Sequence, residues 1–307
     1  AKKVMTSPAP YGAGLRNFLV ERTLLLTVRL NSRKNLLRPD DQAKELKELA
    51  LSINTTHVVD EVICLRDFLT PNLYLGKGKI EELKENCAQQ NITTVIFNND
   101  LSGTQQRNIE EIIGVKTIDR TQLILDIFAR HAKTPEGKMQ VELAQLEYLL
   151  PRLTGGGVML SRLGGGIGTR GPGEQKLEVD RRRIKDRIII LKEDLRDLID
   201  RRKTIRKKRK ESSVPTLTLV GYTSAGKSTL LNALTESEQT VSTHLFTTLD
   251  PLSRSLTLTN NQKVVLSDTV GFINDLPPHL IEAFKATLEE VVEADLLLHV
   301  LDISDLT

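Results

Sequence analysis

Residues 216–229 read Thr-Leu-Thr-Leu-Val-Gly-Tyr-Thr-Ser-Ala-Gly-Lys-Ser-Thr. The opening residues have the pattern of a β-strand, and Leu-Leu-Asn-Ala-Leu after Thr229 has that of a helix. Gly-x-x-x-x-Gly-Lys-Ser therefore stands between strand and helix, the context a phosphate-binding P-loop requires. Gly221 and Gly226 let the backbone curl, so that the N–H groups of Tyr222, Thr223, Ser224 and Ala225 can face phosphate oxygens. Lys227 adds a cation for the β- and γ-phosphates, and the Ser228 hydroxyl can take a place on Mg²⁺. The helix that Thr229 continues adds its partial positive charge. A Gly-rich turn before an ordinary helix is the alternative, and it leaves the Lys-Ser pair at that spacing unexplained. The stretch implies an α/β fold and a bound nucleoside triphosphate.

The residues that follow narrow the class. Phe246-Thr247-Thr248-Leu249-Asp250-Pro251 lies about 20 residues past Lys227. A Thr here reaches metal and γ-phosphate with its hydroxyl and N–H, as a switch loop does. Thr247 and Thr248 both fit, and Thr248 is preferred because the matching position in related GTPases is the Thr preceding the apolar residue. Next, Val264-Val-Leu-Ser-Asp-Thr-Val-Gly271 reads as a buried strand ending in Asp-x-x-Gly. Asp268 suits Mg²⁺ binding from outside the inner ligand ring. Gly271, after Thr269 and Val270, suits close approach to the γ-phosphate. In this order the segments indicate a switch GTPase, with Lys227, Thr248 and Gly271 taking part in hydrolysis and Ser228, Thr248 and Asp268 serving the metal. Phe272 stands where Ras-like enzymes place a water-orienting Gln. Slow intrinsic hydrolysis is expected, with the missing group supplied by a partner, a backbone group or water. No Asn-Lys-x-Asp guanine reader follows before Thr307. The chain thus reads as a G domain cut short, and base selectivity is not legible in it.

Hydrophobic content of 39% and charge of 27% are ordinary for a globular protein. No apolar run reaches membrane-span length, and the N-terminal residues have no signal-peptide core. Cys64 and Cys87 lack metal-ligand spacing and read as reduced, packed thiols, which places the chain in the cytoplasm. With no Trp and 4% aromatics, recognition by stacking on bases is disfavoured. Net charge is +3, but residues 170–210 alone carry 17 Lys/Arg against 8 Asp/Glu. That is the footprint of a polyanion partner, or else a solvated helix face.

Three regions follow. Residues 1–133 alternate strands (24–30, 58–65, 94–97, 115–118) with helices (40–53, 79–90, 102–113, 120–131), the rhythm of a small α/β domain. Within it, Gly76-Lys-Gly-Lys79 reads either as a second phosphate cradle or as a tight turn and basic helix start. Residues 134–213 open with a helix at 137–150 and then reach a stretch with nine Gly among residues 154–173, plus Arg162 and Arg170. Such a composition is not expected to form a packed core and is expected to be mobile by itself. Beyond it, Leu177, Ile184, Ile188, Leu191, Leu195 and Leu198 make a heptad stripe. The expected form is an antiparallel helical hairpin with a Gly/Arg tip, its first helix offering Val141, Ala144 and Tyr148 to the seam. Flexible basic backbone of this kind suits folded RNA. Residues 214–307 are the incomplete P-loop GTPase domain, with a helix opening at Pro277-Pro278 behind the second switch and a strand at 296–301.

The segments Leu75-Gly-Lys-Gly-Lys79, Asp119-Arg-Thr-Gln-Leu-Ile-Leu-Asp-Ile-Phe128, Ser161-Arg-Leu-Gly-Gly-Gly-Ile-Gly-Thr-Arg-Gly-Pro-Gly-Glu174 and the P-loop resemble the HflX family of ribosome-associated GTPases along nearly the whole chain. The resemblance implies a cytoplasmic GTPase using GTP/GDP and Mg²⁺. It implies binding to the large ribosomal subunit, with the hairpin tip at the rRNA of the peptidyl-transferase region, and the splitting of stalled ribosomes under stress. A monomer without a membrane span is expected. Two further readings stand beside it: an RNA-binding module whose G domain no longer turns over, and an ATP-dependent RNA-remodelling enzyme acting through the N-terminal domain.

Overall fold

The computed structural model describes residues 20–31, 38–153, 172–211, 214–235, 245–246, 252–277, 280 and 290–304. Strands β1 (Glu21–Leu30), β2 (Thr56–Arg66), β3 (Thr94–Phe97) and β4 (Lys116–Asp119) form a sheet of order β2-β1-β3-β4 with every pairing parallel. Helices α1 (Pro39–Leu51), α2 (Lys77–Gln89) and α3 (Gly103–Ile113) are the crossovers, and α4 (Arg120–His131) leaves β4 without a break. A parallel sheet must be covered on both faces, and β1 shows how the period-2 alternation of side chains achieves it. Leu24, Leu26 and Val28 join Val95, Phe97, Ile80 and Ile109 in one core. Leu25 turns the other way, to Ile96, Leu46, Ile124 and Phe128. The expected strands and helices of this region differ from these only at their ends. Ser102 caps α3 reciprocally: its hydroxyl accepts from Gln105 N–H while the Gln105 side chain accepts from Ser102 N–H.

Residues 76–79 are not a loop. Gly76 is the N-cap and Lys77 begins α2. There Lys79 pairs with Glu82 at 2.6 Å and Lys77 lies 3.7 Å from Glu81. The basic helix start is what forms here, with Gly76 in extended backbone before it.

Thr134 caps α5 (Pro135–Leu149), which ends in a 3-10 turn (Leu150–Arg152). The return helix α6 (Pro172–Glu211) is 40 residues, about 60 Å long. Glu136 in the first turn of α5 pairs with Arg202 far along α6, whereas Leu150 at the other end packs in the cluster of Ile184, so the two helices run antiparallel. Glu142–Arg187 and Glu147–Lys192 tie the flanks. The seam corrects the sequence expectation. Met139, Leu143, Leu146 and Leu150 meet Ile184, Ile188, Leu191 and Leu195, while Val141, Ala144 and Tyr148 face α1 and α4 in the N-terminal core. The physical reason is that α5 is apolar on two faces, one for each neighbour. Residues 154–171, with Arg162 and Arg170, lie outside the described residues.

The last region has β5 (Thr216–Val220), α7 (Lys227–Thr235), β6 (Leu252–Thr257), β7 (Lys263–Asp268) and β8 (Leu296–His299), in sheet order β6-β7-β5-β8. β6 is antiparallel to β7 and the other pairings are parallel. The sequence reading did not anticipate β6. Of the helix expected behind Pro277-Pro278, most residues lie outside those described, and Leu280 is fully buried. Among the described residues no helix is long and apolar enough to cross a membrane.

Candidate functional site

The P-loop spans the gap between β5 and α7. Gly221 (φ 154°), Ser224 (φ 62°) and Gly226 (φ 90°) provide the positive dihedrals of its curl. Gly221 is fixed by space as well: a Cβ there would stand 2.3 Å from the Val300 carbonyl oxygen beside β8. Lys227 is buried, and its Nζ donates to the Tyr222 carbonyl at 2.5 Å, which aims the ammonium back across the loop. Burial lowers the Lys227 pKa, and Asp268 opposes the shift. Thr223, Ala225 and Ser228 are half-buried, and Tyr222, Ser224 and Thr229 are exposed.

β7 delivers Asp268, fully buried, to the same place. Ser228 Oγ donates to Asp268 Oδ2 at 2.5 Å, joining two residues 40 positions apart. A hydroxyl beside a carboxylate is an oxygen donor set that suits a hard cation. No group of three or more His, Cys, Asp or Glu among the described residues forms a metal cage. The Ser228–Asp268 pair fits Mg²⁺ by its chemistry, since that ion is commonly held by one or two protein oxygens with the phosphates completing its shell. Thr269 Oγ1 donates to the Leu219 carbonyl, pinning the end of β7 to β5.

The segment after Val270 lies directly on the P-loop. Phe272 N–H donates to the Gly221 carbonyl at 3.0 Å, and Thr223 N–H donates to the Phe272 carbonyl at 2.9 Å. A Cβ on Gly271 would stand 2.7 Å from Thr223 Cα and 2.8 Å from Thr223 N, so glycine is required for this approach. Phe272 points outward and is 44% exposed rather than packed in the core. Thr247, Thr248, Leu249 and Asp250 lie outside the described residues. Phe246 is 3% exposed and meets Phe128 of α4 edge-on, with ring centroids 4.7 Å apart.

Sequence reasoning missed what surrounds this site. Leu245, Phe246, Ile273 and Leu280 belong to the same core cluster as α1, α4 and α5. Leu245 N–H donates to Ser52 Oγ. Asn274 is bound through its backbone by Glu45 and Arg120, which are themselves paired at 2.9 Å. Burial pushes the Tyr222 phenol up to about 12, with Glu45 adding to the shift. These hydrogen-bond partners come from the N-terminal region, 154 to 229 positions away, and no local pattern signals them.

Three protein families match along the chain. One described as GTP-binding GTPase N-terminal covers residues 40–129, one described as GTP-binding GTPase Middle Region covers 131–209, and one described as 50S ribosome-binding GTPase covers 216–307. The protein named GTPase HflX from Caldanaerobacter subterraneus subsp. tengcongensis is 51% identical over 286 residues, which is 92% of this chain and 65% of that protein. The protein of the same name from Escherichia coli K12 is 48% identical over 235 residues, 76% of this chain and 55% of that protein. A solved GTP-binding protein from Sulfolobus solfataricus in complex with GDP is 27% identical, with a TM-score of 0.48 over 92% of this chain and 71% of that one. The chain spans 65% or less of the length of these two curated relatives.

Proposed function

The chain belongs to the HflX family of GTPases, and on that premise we propose that it is a GTP-hydrolysing factor acting on the large ribosomal subunit, splitting or rescuing stalled ribosomes under stress. The observation that carries the nucleotide half is the meeting of Ser228 with Asp268 at the end of the loop that Lys227 spans, with Gly271 packed against Thr223 of the same loop. In this reading 221–228 cradles the phosphates and Lys227 faces the β- and γ-phosphates. Ser228 and Thr248 take Mg²⁺, with Asp268 behind them. The Gly271 N–H senses the γ-phosphate. Phe246, Thr247, Leu249 and Asp250 belong to the first switch, and Thr269 and Val270 to the second. Bound Mg²⁺ would neutralise charge on the phosphates. Phe272 has no group to orient water, so the intrinsic rate is slow and the subunit supplies the stimulation.

For the partner half, the excess of nine positive charges over residues 170–210 supports contact with rRNA, and the family description of a 50S ribosome-binding GTPase supports the subunit. We place that contact at the hairpin tip, near the peptidyl-transferase region. The working unit is taken as a cytoplasmic monomer with domains at 1–133, 134–213 and 214–307.

The test is equilibrium binding of GTP, GDP and ATP with Mg²⁺ to this chain and to Lys227→Ala. GTP binding that the variant loses, with ATP much weaker, supports the reading. Equal or absent binding of GTP and ATP rejects guanine recognition by this chain and directs attention to RNA binding. ATP binding that survives Lys227→Ala would instead favour a nucleotide site in the N-terminal region.

A further inference from the structure

Two adjacent residues at the junction of β4 and α4 hold two separate polar clusters. Arg120 Nη2 donates to the Asn274 carbonyl at 2.9 Å and to Glu45 Oε2 at 2.9 Å, while its Nη1 donates to Asn98 Oδ1 at 2.7 Å. Glu45 Oε1 accepts from Asn274 N–H at 3.2 Å. The pair thus clasps Asn274 by its backbone, three residues past Gly271. The two side chains are only 5% and 14% exposed. Asp119, fully buried, faces elsewhere. It accepts from Leu101 N–H, Gln122 N–H, the Tyr148 hydroxyl at 2.9 Å and Arg152 Nη2 at 3.1 Å. Arg152 also donates to the carbonyls of Leu101 and Tyr148, and its guanidinium lies 3.4 Å over the Tyr148 ring. Tyr148 and Arg152 form the root of the hairpin, just before the Gly-rich stretch begins at Gly155.

We propose that the Asp119–Arg120 dipeptide is the joint through which the phosphate-facing segment 271–277 acts on the root of the helical hairpin. This rests on reading the P-loop as a triphosphate site. The reasoning is as follows. In this proposal a phosphate that engages the Gly271 N–H draws the adjoining backbone with it, remaking the contacts of Phe272 with Gly221 and Thr223 and shifting Asn274. A desolvated guanidinium does not give up a partner without finding another, so Arg120 follows. Asp119 caps the same helical turn that Arg120 begins, and the planar peptide between them passes the movement on. The hydrogen bonds to Tyr148 and Arg152 then tighten or loosen. For this the 271–277 segment must have two arrangements that both ends bias, which would make the coupling reciprocal.

Hydrogen exchange tests this on the 307-residue chain, without nucleotide and with a non-hydrolysable GTP analogue plus Mg²⁺. Peptides covering 271–277 and 146–153 are compared, and analogue binding is measured in parallel. In the wild type both peptides should respond, the hairpin root by about fivefold or more. In Arg120→Met the response at 271–277 should remain and that at 146–153 should vanish. If Arg120→Met does not fold, because Glu45 is left buried without its partner, Glu45→Gln/Arg120→Met removes both charges and serves instead. A hairpin-root response that survives in the joint variant overturns the proposal. So does its absence in a wild type that binds the analogue. Failure of the wild type to bind the analogue defeats the nucleotide reading and this inference with it.

Discussion

Gly271→Ala is the sharpest test of how the segment after Val270 sits on the P-loop. The added Cβ would lie 2.7 Å from Thr223 Cα, 2.8 Å from Thr223 Cγ2 and 2.8 Å from Thr223 N. Two of these three atoms are backbone and cannot swing aside, so the 271–272 segment must lift from the P-loop. Lifting costs the bonds Phe272 N–H to Gly221 and Thr223 N–H to Phe272. At roughly 0.5–1.5 kcal/mol net each, that is about 1–3 kcal/mol. The amides of Thr223 and Phe272 should then exchange roughly 5- to 150-fold faster than in the wild type, by the rule of tenfold per 1.4 kcal/mol. Site-resolved hydrogen exchange without nucleotide measures this. Gly271→Ala/Thr223→Ala should be equally open, because it removes only Cγ2 of the three colliding atoms. Gly78→Ala, in open space on α2, is the control and should leave both amides unchanged. The argument is wrong if Thr223 and Phe272 keep wild-type protection in Gly271→Ala, or if Thr223→Ala restores it.

Three other outcomes follow from the same geometry. Lys227→Ala should weaken triphosphate binding about 10- to 150-fold, the range for a charge-assisted hydrogen bond, with little loss of stability because burial already disfavours the ammonium; fluorescent-nucleotide titration and thermal melting check both halves. Ser228→Ala should abolish the gain in nucleotide affinity on adding Mg²⁺, and calorimetry with Mg²⁺ or EDTA would show a retained gain if the assignment is wrong. Burial raises the Cys87 thiol to about 11, so at pH 8 its thiolate is about one part in a thousand. Cys64 is raised likewise. Neither thiol should react with a disulfide reagent until the chain is denatured, and a fast native reaction would contradict the packing. Since the folded pKa lies above the free thiol's 9.0, the Cys87 contribution to stability is intact below pH 9 and falls as pH rises toward 11.

The N-terminal sheet was legible because its signals are local: Ser102 before a helix, short apolar runs at 94–97 and 115–118, and polar helix faces between them. The P-loop was legible because its spacing is itself the geometry. β6 was not, since Leu252-Ser-Arg-Ser-Leu-Thr257 carries two apolar residues and lies at a sheet edge, mostly exposed. The face of α5 that meets α6 is not legible, because Val141, Ala144 and Tyr148 recur at helical steps as well as Met139, Leu143, Leu146 and Leu150 do. Only the neighbours decide which series meets α6. Asp119 and Arg120 sat in plain view within a family-like segment, yet their partners lie up to 154 residues away, and sequence spacing carries no record of that.

The placement of Leu245, Phe246, Ile273 and Leu280 in the N-terminal core also limits what nucleotide alone can do. All four are 8% exposed or less. Removing such side chains from contact costs roughly 1.5–3 kcal/mol each, so releasing all four together would cost on the order of 6–12 kcal/mol, an upper estimate. Moving a two-state balance from 1:99 to 99:1 needs about 5.5 kcal/mol of differential binding. A γ-phosphate that gains one or two charge-assisted hydrogen bonds supplies about 2–6 kcal/mol. The polar clasp on Asn274 is within its reach, while full detachment of the apolar residues is not. On this reckoning the nucleotide adjusts the backbone at Gly271–Asn274 with the core closed. Any larger separation of the 245–246 and 271–280 segments from α1 and α4 must draw on a second source of binding energy, which an extended polyanionic surface engaging α6 is suited to supply.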